Sequence, residues 1–421
     1  MAQSLPSDAV IVKSIKLSKL DGSKPPIDIS PQIVEFSIYE DITFPVVRGD
    51  FTFSDGIDLI ANFPISGHEK IEIEFHNPGY TDISCKYTLQ VNRIGDVATN
   101  SQGKIKSYVV ETVSQEFITN ANQYISEKHK GSVNDIISTI CKKHTKTKKT
   151  LLLNNDPTKG AQDVLVSRMR PFQAIDFYRK RAVSAKYNSS SYVFFENKRG
   201  FNFCTIEYLL DNQKNNINDK IFFYDTINNI DLKFMNSRNI LNLTHSSLVD
   251  NTTKMSSGSL NMNVKKFDLL TGKVSTTKYV NSEQQHKIKF SSKSAKPIDP
   301  LSFEKTYGNT AAVSLLVPFS SESPENFIDV SLGPKHSFIS KMEQNVFNAV
   351  VYGDVALTAG DVITIKVPSA AGFTKTPPLN KYLEGNYLIS KLRHRVVKLS
   401  PMEQSYTIAM ELIKGSYEDI I

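Results

Sequence analysis

Residues 191–204 read Ser-Tyr-Val-Phe-Phe-Glu-Asn-Lys-Arg-Gly-Phe-Asn-Phe-Cys, two aromatic-rich segments joined by a four-residue polar turn that ends in Gly200. Tyr, Val and Phe suit the pleated, half-buried surface of a strand, and glycine supplies the positive φ that a short hairpin loop needs. The stretch therefore predicts a β-hairpin. Before it, Pro171 opens a segment with Phe172, Ile175, Phe177, Tyr178 and Ala182 along one broad face. Proline is preorganised for the first helical position, and that spacing is the stripe of an amphipathic helix. A helix and a hairpin sharing one aromatic face make a small α+β module.

Further upstream, Val133, Ile136, Ile137, Ile140 and Cys141 fall on one helical stripe, and Ser132 with Asp135 three residues on makes a capping-box start. Before that helix the period is two. Ile33–Tyr39, Gly49–Phe53, Lys70–Phe75, Lys86–Asn92 and Lys104–Glu111 alternate, with Gly, Pro, Asn and Asp between them, as in a sandwich or barrel. Ile71-Glu72-Ile73-Glu74-Phe75 sets an apolar face against an acidic one, so one side meets a core and the other meets water or a partner.

Downstream, Asp211–Lys220, Ser256–Ser259 and Asn281–Pro300 read as surface connections, with short strands expected at Val274–Val280 and Lys287–Phe290. A helical stretch is expected from about His336 to Phe347, then strands at Ala349–Tyr352, Val362–Val367, Gly385–Ile389 and Gln404–Leu412. Four regions result: a first β unit over 1–115, an α+β insertion over 116–225, a β-rich irregular connection over 226–335 that is shared with the second β unit, and the C-terminal part of that second unit over 336–421.

At 421 residues the chain exceeds the size at which single cores stop growing, so several domains are expected. A net charge of +7 with 22% charged residues gives no electrostatic footprint for nucleic-acid binding. The Lys142–Lys149 run has no interleaved aromatics for base stacking and reads as a solvated loop, with a contact to an acidic partner or phosphate as the alternative. No apolar run crosses a bilayer and the first 20 residues lack a signal-peptide pattern, so no stable membrane insertion is expected. Three separated cysteines, Cys85, Cys141 and Cys204, suggest reduced thiols, with Cys141 a small core hydrophobe.

The chemistry-bearing motifs are missing: no phosphate loop, no dinucleotide fingerprint, no HExxH, no CxxC pair and no EF-hand loop. His144, inside the lysine run, and His394, between Arg393 and Arg395, read as surface groups without ligand-spaced partners. The acidic pairs Glu72/Glu74 and Asp55/Asp58 carry no supporting constellation for general acid/base work. No catalytic, cofactor or metal residue is assigned, and an enzyme is not expected.

The order of a β-rich unit, a capped helix, the Pro171-Phe172 helix and the Tyr192-Val-Phe-Phe-Glu-Asn…Gly-Phe-Asn-Phe203 hairpin resembles the baseplate central hub of contractile-tailed bacteriophages. More distantly, it resembles the N-terminal part of the type VI secretion spike (VgrG) proteins. Gly353-Asp354 and Ala359-Gly360-Asp361-Val362-Ile363 before Gly385–Ile389 look like the hub's second β-domain. The resemblance implies a mostly β fold with an α+β insertion and two barrel-like β tube domains, a homotrimer forming a pseudo-hexameric ring.

Such a hub adapts the hexameric tail tube, or its initiator, to the trimeric central spike and leaves a channel for DNA, which touches it only in passage. Baseplate wedge proteins and the tape measure protein complete the implied partners, in a virion tail baseplate assembled in the host cytoplasm. No cofactor is implied. Nothing here resembles a lysozyme domain or a needle-like β-helix, so the spike is expected on a separate polypeptide. Two other readings stay open. A receptor- or polysaccharide-binding tail protein needs an exposed aromatic platform, against which the absence of Trp counts. A wall-degrading hydrolase needs a catalytic constellation that the sequence does not display.

Overall fold

The computed structural model describes residues 9–78, 83–99, 105–211, 220–224, 238–245, 261–280, 313–319, 335, 346–368, 380, 383–400 and 403–414. The first block is built from β1 (Ile11–Lys19), β2 (Ile33–Asp41), β3 (Arg48–Asp55), β4 (Glu69–His76), β5 (Cys85–Thr99) and β6 (Lys106–Val113). Alternation does what period two dictates. In β4, Ile71, Ile73 and Phe75 are buried, while Glu72 and Glu74 point outward and pair with Lys70 at 2.6 Å and Lys13 at 2.8 Å.

The period then becomes helical. α1 (Val133–Ile140) begins where Ser132 Oγ accepts the Asp135 amide at 3.2 Å. α2 (Pro171–Arg179) has its proline in the first turn, and the Gln173 side chain accepts the Arg170 amide at 3.0 Å. The hairpin follows as β7 (Tyr192–Asn197) and β8 (Gly200–Thr205), running into the short helix α3 (Ile206–Asp211).

Two expectations about this hairpin need correction. Asn197 pairs with Gly200, so only Lys198 and Arg199 form the loop, where a four-residue turn was expected. Gly200 has φ +124°, and a Cβ there would lie 2.2 Å from the Thr150 carbonyl oxygen, so the position excludes larger residues twice over. The strands are also buried on both faces rather than half-buried. Tyr192, Phe194, Phe201 and Phe203 share a core with Ile136, Ile140, Ile175 and Tyr178 of the helices. Val193, Phe195 and Cys204 turn the other way, into a core with Ile42, Val362, Leu388 and Ile413.

The last block comprises β9 (Val346–Tyr352), β10 (Val362–Lys366), β11 (Gly385–Lys398) and β12 (Gln404–Ile413). It continues the sheet of the first block. Among the described residues one 13-stranded sheet runs from Ile240–His245 through β9, β12, β11, β2, β3, β6, β5, β4 and β1 to Ile27–Asp28. β10 and Ile221–Phe223 lie off that path. The joint is antiparallel pairing of β11 with β2, from Lys391 opposite Asp41 to Val397 opposite Glu35. One core spans it, with Phe75 of β4 edge-on to Tyr406 of β12 at 5.7 Å between ring centroids.

Smaller sheets pair Ile125–Gly131 with Gln162–Met169, and Asn261–Asp268 with both the expected Val274–Val280 strand and Val313–Phe319. The helix expected from His336 to Phe347 is not supported at its end, because Val346 and Phe347 open β9. Its residues 336–345 lie outside the described residues, as do Ser256–Ser259, Lys287–Phe290, Asn281–Pro300 and residues 212–219. No helix among the described residues is long and apolar enough to cross a membrane.

Candidate functional site, a polar junction at the hairpin tip

The tip of the hairpin is polar because it enters no apolar core; each of its residues reaches a different part of the chain. Glu196 accepts the Val47 amide at 3.1 Å and the Lys149 ammonium at 2.6 Å. Asn197 Nδ2 donates to the Ala359 carbonyl at 2.9 Å. The Lys198 amide donates to Glu40 Oε1 at 2.7 Å, and its ammonium donates to the carbonyl oxygens of Val355 and Leu357. Arg199 pairs with Asp361 at 2.9 Å, and Lys220 reaches the same carboxylate at 2.6 Å. Four consecutive tip positions, Glu196 to Arg199, thus bind the module to both blocks.

Glu40 is the acceptor at the centre. It is 1% exposed, and besides Lys198 it takes the Thr358 hydroxyl, the Ala359 amide at 2.8 Å and the Tyr87 hydroxyl at 3.0 Å. Burial pushes its pKa up from the usual carboxylate value, opposed by the Thr358 and Ala359 hydrogen bonds and by the Lys198 charge. Two backbone amides and two hydroxyls surround its oxygens, so every one of its contacts is a hydrogen bond. Lys198 is driven below the usual lysine range by burial. Lys149 behaves otherwise: burial lowers it, but the Glu196 and Glu116 carboxylates prevail and hold it above the ordinary value.

The lysine run is therefore not wholly a solvated loop. Cys141–Thr145 continues α1 as a π-helical turn, and Lys149 bridges Glu196 to the buried Glu116. His144 is half-buried and, with Lys143, bonds to Glu127. That carboxyl is held down to about 2, first by the Lys143 hydrogen bond.

His394 is a clear correction, being fully buried rather than a surface group. On β11 the outward positions are Arg393 and Arg395, both paired with Glu35, and period two turns the residue between them inward. There its Nδ1 meets the Tyr406 hydroxyl at 2.8 Å, and burial pushes its pKa down to about 3, so the ring is neutral. The same count places Phe36, Ile38 and Glu40 on one face of β2, which was the available signal for a buried acid. Nothing marked Lys198 and Arg199, since a turn that docks on the rest of the chain and a fully solvated one share a composition.

The remaining candidates are structural. Asp55 is buried and accepts the Leu59 amide at 2.7 Å and the Tyr108 hydroxyl at 3.1 Å; Asp58 pairs with Lys106 at 2.8 Å. β5 and β6 separate this pair from Glu72 and Glu74 in the sheet. All three cysteines are free and buried, and burial pushes Cys85 and Cys141 up to about 12 and Cys204 up as well. Among the described residues no group of His, Cys, Asp and Glu could hold a metal ion. The arrangement can clamp segments together, and burial leaves the three thiols unactivated.

No family model and no characterised protein sequence matches the chain. Solved structures do. A tail protein from Neisseria meningitidis MC58 is similar over 95% of this chain and 96% of its own, with TM-score 0.56 at 11% identity. The 43 kDa tail protein of prophage MuSo2 from Shewanella oneidensis is similar over 98% of this chain and 100% of its own, with TM-score 0.56 at 9% identity. The E. coli c3393 protein, a component of the type VI secretion system, aligns over 98% of this chain and 79% of its own, with TM-score 0.47 at 8% identity. The chain shares the fold of the two tail proteins.

Proposed function

We propose that this chain is the baseplate hub of a phage tail, a structural protein that joins the hexameric tail tube to the trimeric central spike. The observation that carries the reading is the whole-chain likeness to two tail proteins, which leaves no large part of either fold unmatched. In the proposed assembly the first and last blocks act as two barrel-like tube domains, and three chains present six such domains around a channel for DNA. Closed rings of this kind use heterologous interfaces and leave few sheet edges exposed. The continuous β11–β2 pairing and the hairpin clamp support the mechanical part, because both hold the two blocks in one rigid relation. Wedge proteins and the tape measure protein are the further proposed partners, in a virion tail baseplate. The role needs no catalytic step.

Co-expression with the tube and spike proteins of the same phage tests this reading. The expected result is a complex in which this chain is bound to both. Failure to retain either partner contradicts it.

A further inference from the structure

A cleft of about 280 Å³ opens beside the hairpin tip, with Lys86, Lys148, Lys149, Glu196, Lys198 and Arg199 among its walls. Five of these six side chains are cations. Glu196 is the one carboxylate in the lining, and both its oxygens are already taken, by Lys149 and the Val47 amide. Arg199 is held by Asp361, which lies outside the lining. Lys86 reaches Glu74 only at 3.4 Å and is 67% exposed, a weak pair. The exposed Lys148 has no carboxylate partner among the described residues. Lys198 is half-buried, its ammonium donating to two carbonyl oxygens rather than to a carboxylate, and burial lowers its basicity against the opposing pull of the nearby Glu40 and Asp361 charges.

Cations gathered along one cleft focus a positive potential that raises the local concentration of anions, more strongly at low salt. We propose that this cleft binds an oxyanion, the carboxylate of an acidic protein segment or a free phosphate. The volume suits one such group; drug-sized ligands occupy roughly 300–1,000 Å³. Its walls come from three places: Lys86 on β5, Lys148 and Lys149 on the loop after the π-helical turn, and Lys198 and Arg199 at the hairpin tip. A bound anion therefore ties the module to the first block at the junction itself. The inference stands on the cleft alone and is independent of how the chain assembles.

Calorimetric titration of the full chain with inorganic phosphate and with a hexa-aspartate peptide, at about 50 and 150 mM salt, tests it. One-to-one binding of at least one probe is expected. The double change Lys86→Glu/Lys148→Glu should weaken it by about tenfold or more with the melting temperature little changed. Lys130→Glu/Lys142→Glu, the same charge change at exposed lysines outside the cleft, should leave binding nearly intact. Phosphate bound alone identifies a free ion as the ligand, and peptide bound alone identifies a protein segment. If the double variant fails to fold, Lys148→Gln should still weaken binding. Absence of saturable binding to both probes overturns the proposal, and so does equal weakening by the control pair, which would assign it to overall charge.

Discussion

Phe195 and Phe177 look alike in the sequence, yet they do not have the same surroundings. Phe195 is fully buried between the hairpin and the last block, whereas Phe177 is partly exposed with the Arg181 guanidinium 3.6 Å from its ring centroid. Phe195→Ala should destabilise by about 3–5 kcal/mol, as a buried aromatic truncation does, and Phe177→Ala by clearly less. Equal shifts in denaturant midpoint would show that the face assignment is wrong. A second outcome concerns pH. The folded-state pKa of Glu127 is depressed from 4.5 to about 2, so its contribution to stability is complete above about 4.5 and is lost as pH falls toward 2. Acid unfolding of Glu127→Gln should therefore depend less on pH across that window than the parent; superimposable profiles would show that the Lys143 and His144 contacts contribute nothing. Thiols tell a simpler story: burial and raised pKa values predict that Cys85, Cys141 and Cys204 resist alkylation until the chain is unfolded, and rapid labelling of the native protein would contradict that. At this scale the sequence was partly misleading. His394 was legible only by counting along its strand, because flanking arginines give a surface-like composition to a position that period two buries.

Local elements were the most legible level, because caps and periodicity are local causes. The Ser132 cap, the Pro171 start and the hairpin strands stand where the letters put them. What the letters did not reveal was the second buried face of the hairpin. Alternating Tyr192, Phe194 and Val193, Phe195 are all apolar, and a strand covered on both sides has no polar phase to expose. The junction was similarly hidden, since Glu40 and Ala359 are separated by 319 residues and meet only through the sheet. Gly200 tests the seating of the hairpin. Gly200→Ala adds a Cβ 2.2 Å from a backbone oxygen at φ +124°, whereas Gly131→Ala, at φ +137°, meets nothing within 4 Å. Both incur the conformational penalty, but only the first must displace the Thr150 backbone, so Gly200→Ala should melt at a distinctly lower temperature. Matching melts would mean that the hairpin is not held against Thr150.

The whole molecule couples these pieces through one sheet. First and last blocks share the β11–β2 ladder, and the module is clamped across them by Glu196, Asn197, Lys198 and Arg199. Sequence order alone suggested two separate β units flanking an insertion, since strand pairing over such a span leaves no local signature. The proposed hub requires more than this fold: several copies must close into a ring, and closure depends on surfaces that no single chain displays. A mechanical adaptor also has no need of turnover, so the purified protein should leave peptidoglycan, polysaccharide and nucleotide substrates unchanged; activity abolished by one substitution at Glu72, Glu74, Asp55 or Asp58 would contradict that. Stoichiometry tests the central claim most directly. Cryo-electron microscopy of the purified protein, alone and with its tube and spike partners, should reveal a ring of three chains with six similar β lobes around a channel, and a strictly monomeric particle under all of these conditions would contradict the account.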